Sequence, residues 1–215
     1  MATPAQLMKV VSDATGVTLA TIVDIDRRLV KGKLRTKHGR GLHAAQMTPL
    51  DSARLLTAVL ASAQANASVE AVERYTQTRV DKARSSERLF GRIKIEDLNA
   101  LPASHSFVDG LATLIASAST GALAKLLYES PVRWLPRIEV FAFTGAARGR
   151  IRIAEMRDGG AAIVEYIPAP TEAKQARGKK TRHGRDAGES AGDLEQSRRV
   201  TEQTILMVAE VLGQD

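Results

Sequence analysis

At about residue 137 the spacing of apolar residues changes from helical to alternating, and that change sets the class of fold open to this chain. Before it, apolar side chains recur three and four residues apart, as amphipathic helices require. After it, 137–143 (RIEVFAF), 148–156 (RGRIRIAEM) and 161–167 (AAIVEYI) alternate, as half-buried strands do. Asp158-Gly159-Gly160 supplies a hairpin turn between the last two. The pattern predicts an α+β protein: an N-terminal helical domain, further helices, a C-terminal three-stranded antiparallel meander and a terminal helix. Arg148, Arg150 and Arg152 fall on one face of the meander, where they can meet phosphates or pair across strands with Glu139 and Glu165.

The helices announce their starts. Thr3-Pro4-x-Gln6 and Thr48-Pro49-x-Asp51 each combine a capping hydroxyl, a proline at the first helical position and a reciprocal side chain three residues on. Leu7, Met8, Val10 and Val11 give the first helix its buried side, and Leu50, Ala53, Leu56, Leu60 and Ala63 give a helix at about 49–63. Its polar side is small, which points to a second buried face at a subunit contact. Residues 69–88 are weakly helical, with Tyr75 off the face of Val69, Val72 and Val80, and 91–105 read as a loop. Ser106-x-x-Asp109 opens a strongly apolar helix through Ala118, and Gly121 separates it from a short piece at 123–127. Residues 173–185 are purely basic and 186–195 purely acidic, so 169–192 reads as a charged disordered linker. The last segment, about 194–212, regains helical spacing through Ile205, Val208, Ala209 and Leu212. The expected division is 1–64, 65–168, the linker 169–192, and a C-terminal helix in 193–215.

The functional signal lies in residues 11–40. Ser12 and Ala14 are small enough for two helices to cross closely, Gly16 frees the backbone for a tight turn, Val17 and Ile22 plug the gap, and Thr18 caps a second helix to about Lys31. Residues 27–40 then carry seven lysines and arginines and no acid, and Gly39 and Gly41 allow close backbone approach. From Val11 to Leu34 the stretch resembles the helix-turn-helix of winged-helix regulators at Ser12, Gly16, Val17, Thr18, Thr21, Ile22, Arg27, Arg28, Leu29 and Leu34. The resemblance makes the N-terminal domain a helix-turn-helix, winged-helix-like unit, and implies double-stranded DNA as the partner. Thr18, Leu19 and Thr21 would then reach base edges, and Arg27, Arg28, Lys31, Lys33, Arg35, Lys37, His38 and Arg40 would meet phosphates. Asp24 and Asp26 would repel phosphates, so the helix must keep both off the DNA backbone.

Composition agrees with a polyanionic partner: the formal charge is +7 over 215 residues. No cysteine is present, which removes thiolate chemistry and disulfides. No signal peptide or membrane-length apolar run is evident, so the expectation is a cytoplasmic, nucleoid-associated protein without a membrane partner. His38 and His43 lack a cysteine or nearby carboxylate to complete a metal site, and no phosphate-loop, nucleophile-elbow or zinc-protease motif occurs. The chain therefore reads as a non-enzyme with no cofactor, no metal and no evident small-molecule ligand. The expected function is a bacterial or phage transcriptional regulator acting as a homo-oligomer. The alternatives are a phage DNA-packaging or replication component using the same module, and a non-enzymatic interaction module whose basic segment meets an acidic protein.

Overall fold

The computed structural model describes residues 2–36, 46–87, 90, 95–128, 138–154, 161–169 and 196–213. The helices are α1 (Pro4–Thr15), α2 (Leu19–Lys31), α3 (Pro49–Ala61), α4 (Ser68–Thr76), α5 (Glu96–Asn99), α6 (Phe107–Ser119), α7 (Ala122–Tyr128) and α8 (Glu202–Gly213). α1, α3 and α6 begin at the expected capping boxes, with Thr3, Thr48 and Ser106 accepting from the backbone N–H three residues on and Gln6, Asp51 and Asp109 reaching back. Each such cap is worth about 1 kcal/mol, enough to pin a helix start where tertiary contacts are few. Among the described residues no helix is long and apolar enough to cross a membrane.

The strands are β1 (Thr78–Val80), β2 (Ile138–Thr144), β3 (Gly149–Ala154), β4 (Ala161–Pro168) and β5 (Gln196–Thr201). They form one antiparallel sheet in the order β1-β4-β3-β2-β5. The expected meander is its centre, but among the described residues the sheet has five strands and not three. The missed strands are the two edges. β1 has three residues, too few for a period to show. β5 (QSRRVT) buries only Val200, so it lacks the apolar alternation that betrays a strand. The helix expected over 194–212 is thus corrected: 196–201 is strand, and α8 starts at Glu202.

Inward side chains of the sheet, among them Ile138, Val140, Ile151, Ile153, Val164 and Tyr166, meet a layer of helices. α3 lies at the centre, packed on α2, α4, α6, α8, β2 and β5, with ten of its thirteen residues buried. Its second apolar face, which suggested a subunit contact, is used within the chain. α6 and α8 pack on each other, and α8 also covers α1. One cluster of buried residues runs from Leu7 in α1 to Val208 in α8. Tyr75, off the apolar face by sequence, is fully buried. Its hydroxyl accepts from Phe143 N at 2.8 Å and donates to Arg148 O at 2.5 Å, closing the β2–β3 hairpin. The Asp158-Gly159-Gly160 turn, nearly all of the linker, and residues 37–45 lie outside the described residues.

Candidate nucleic-acid interface

α1 and α2 are joined by a three-residue turn at 16–18. Gly16 takes φ 71°, a left-handed conformation that glycine adopts without a Cβ penalty, and its N–H closes α1 on Ser12 O at 2.9 Å. Ser12 does more than stay small: its hydroxyl donates to Val17 O at 2.7 Å and fastens the turn to α1. Thr18 caps α2 through its hydroxyl, 3.4 Å from Thr21 N and 2.9 Å from the Thr21 hydroxyl. Ile22, Ile25 and Leu29, at helical spacing, carry the buried side. The first turn stands clear of the core: Thr18, Leu19, Ala20 and Thr21 are all exposed, Leu19 at 47 %.

The two aspartates leave the surface by different routes. Asp24 pairs with Arg28 one turn on at 3.0 Å, both side chains about half exposed. Asp26 is buried and pairs with Arg35, whose Nη2 donates to Oδ2 at 2.5 Å. Arg27, Lys31 and Lys33 are exposed, and Lys33 sits at φ 58° just past the helix end.

Arg35 corrects the sequence reading. Its side chain has no exposed surface, so it cannot meet a phosphate. It holds the base of the segment 37–45 instead: it grips Asp26 on one side and contacts Met47 Sδ at 3.2 Å on the other, where Met47 N donates to Ala2 O. Next to it, Thr36 N donates to Asp51 at 3.0 Å, and Arg54 donates to Leu34 O at 2.9 Å. Burial pushes the Asp51 carboxyl up, but hydrogen bonds from Thr36 and Thr48 outweigh it and hold the group below the usual carboxylate range. The described residues on either side of 37–45, Thr36 and Met47, are therefore both tied to the fold close to Arg35. Lys37, His38 and Arg40 belong to that segment and lie outside the described residues.

No family model, curated protein or solved structure matches this chain. Its own geometry must carry the functional reading. Of the residues expected to meet DNA, Thr18, Leu19, Thr21, Arg27, Lys31 and Lys33 are exposed, Arg28 is partly exposed, and Arg35 is buried.

Sequence reasoning missed Arg198. It reaches from β5 to the C-terminal end of α3, donating to Val59 O and Ser62 O at 2.7 and 2.9 Å, where a cation offsets the negative helix end. It borders a cleft of about 700 Å³ that Thr21 and Ile25 of α2 also line. Only the unread strand β5 places it there. His105 lines a second cleft, with Nδ1 2.6 Å from Pro102 O and Nε2 2.8 Å from the Tyr166 hydroxyl. A carbonyl only accepts, so Nδ1 carries the proton and Nε2 accepts from tyrosine.

Proposed function

We propose that the chain is a double-stranded-DNA-binding protein, a transcriptional regulator of bacterial or phage type, that lays the first turn of α2 in the major groove. The exposure of that turn carries the reading. α2 buries Ile22, Ile25 and Leu29 yet leaves Thr18, Leu19, Ala20 and Thr21 outside the core. An exposed leucine gains nothing from its own fold but can contact a thymine methyl, and threonine hydroxyls can bond base edges. Further along, Arg27, Lys31 and Lys33 stand ready for phosphates, and Asp24, the one exposed carboxylate of 18–36, is matched by Arg28. Lys37, His38 and Arg40 continue the charge in sequence. A homo-oligomer would hold two such modules roughly 34 Å apart, one helical turn of DNA.

Titration against specific and random duplexes at two salt concentrations tests this. Arg27→Ala, Lys31→Ala and Lys33→Asn each lower affinity for all sequences and reduce the salt slope by about one. Asparagine is chosen at 33 because it tolerates the left-handed backbone there. Thr21→Ala alters the preferred site, with a loss of ~1–3 kcal/mol on the best sequence. Unchanged duplex affinity in the R27A/K31A/K33N variant would sink the proposal.

A further inference from the structure

The face of the sheet turned away from the helices alternates arginine with phenylalanine. Along β2 the residues Ile138, Val140 and Ala142 are buried, so Glu139, Phe141 and Phe143 point the other way. The register sets Phe141 directly between Arg150 of β3 and Arg199 of β5. Their guanidinium carbons lie 5.9 and 6.0 Å from the Phe141 ring centre, and that of Arg148 lies 5.1 Å from the Phe143 ring centre. Glu139 accepts from Arg152 at 3.0 Å and from Arg199 at 2.7 Å, while Glu165 accepts from Arg150 at 2.5 Å. Cross-strand pairing therefore does occur, but among the described residues it leaves the face positive, because these two carboxylates meet three guanidinium groups. The side chains of Arg150, Arg152 and Arg199 stay 41 %, 34 % and 50 % exposed. The described helices that touch the sheet pack on its opposite, fully buried side.

We infer that this face binds a single-stranded nucleic acid. Unpaired bases stack on aromatic rings and on guanidinium planes, and both surfaces are present in one row. Phe141 and Phe143 are two residues apart on one strand, roughly 7 Å, which offers places for two bases. The surplus positive charge complements the phosphates between them. A duplex conceals its base faces and gains none of the stacking, so this surface is separate in kind from α2. Single-stranded DNA and RNA share the chemistry, and the experiment tells them apart.

The test uses the full chain with labelled 12-mer oligo-dT and oligo-U at low ionic strength. Binding of at least one is expected, and the stronger identifies the source. F141L/F143L keeps apolar bulk but removes the rings, and weakens binding at least tenfold, while F141Y/F143Y retains it. Arg199→Gln, half exposed on an edge strand, lowers the salt slope even if the leucine variant folds poorly. R27A/K31A/K33N leaves single-strand binding unchanged, which separates this inference from the duplex proposal. Absence of binding to both oligomers would overturn the inference. So would loss with the α2 variant combined with no response to F141L/F143L or Arg199→Gln.

Discussion

Asp26 and Arg35, nine residues apart, are joined side chain to side chain inside the protein. The pair converts what reads as a phosphate-binding arginine into the fastening between α2 and the start of the segment 37–45. Burying two charges is costly unless each satisfies the other, so removing one partner strands the other. We predict that Asp26→Asn or Arg35→Met alone destabilises the protein by about 3–5 kcal/mol, and that the double variant loses much less than the sum. Urea unfolding of the four proteins measures this. Additive losses would show that the two side chains do not depend on each other. At temperatures where Arg35→Met remains folded, its salt slope for duplex DNA matches wild type, unlike those of Arg27→Ala and Lys31→Ala.

Asp24 and Arg28 are a surface pair on one helix, a geometry of small net worth. Asp24→Asn should leave stability within about 0.5 kcal/mol of wild type. If α2 docks as proposed with Asp24 near the phosphates, the substitution should strengthen binding to random duplexes, because Arg28 is released and a negative charge is removed. Weaker or equal binding, measured at low salt, would place Asp24 away from the phosphates.

The Asp51 carboxylate accepts from Thr48 N at the start of α3 and from Thr36 N, so its acidity is coupled to folding. Its folded value lies below the ordinary 3.8, which means the unfolded chain takes up the proton first. Its stabilisation is fully present above about pH 4 and is lost as pH falls through the folded value. The stability gap between wild type and Asp51→Asn should therefore shrink in acid. A gap that stays constant from neutral pH down to about pH 2.5 would contradict the linkage.

His105 behaves likewise in a higher window. Burial pushes its pKa below the usual 6.5, against smaller opposing effects of the Pro102 carbonyl and Asp109. Burial, with Asp109 adding to it, raises the Tyr166 hydroxyl well above its usual 10, so it stays protonated as the donor to Nε2. Protonating His105 sets two donors against each other. Because its folded pKa is depressed, its contribution is complete above about pH 6.5 and declines below that as pH falls through the folded value. Following the His105 ring protons by NMR should show a titration midpoint below 6.5, and His105→Gln should flatten the stability profile in this window. A midpoint at or above 6.5 would rule the mechanism out.

Sequence alone determined the features whose causes lie within a few residues. The capping boxes at Thr3, Thr48 and Ser106 and the left-handed turn at Gly16 are local chemistry, and each stands where it was read. The alternation of β2, β3 and β4 is equally local, and the pairing of Arg150 with Glu165 and Arg152 with Glu139 follows from their register in a meander. Tertiary structure decided the rest. β5 is an edge strand with one buried side chain, so only its hydrogen bonds to β2 reveal it. Tyr75 finds its hydroxyl partners 68 and 73 residues away. Arg35 sits among basic neighbours with the composition of a phosphate site, yet the position of Asp26 one helix back draws it inside. No periodicity encodes such a contact, because a side chain's environment is set by whichever distant element packs beside it.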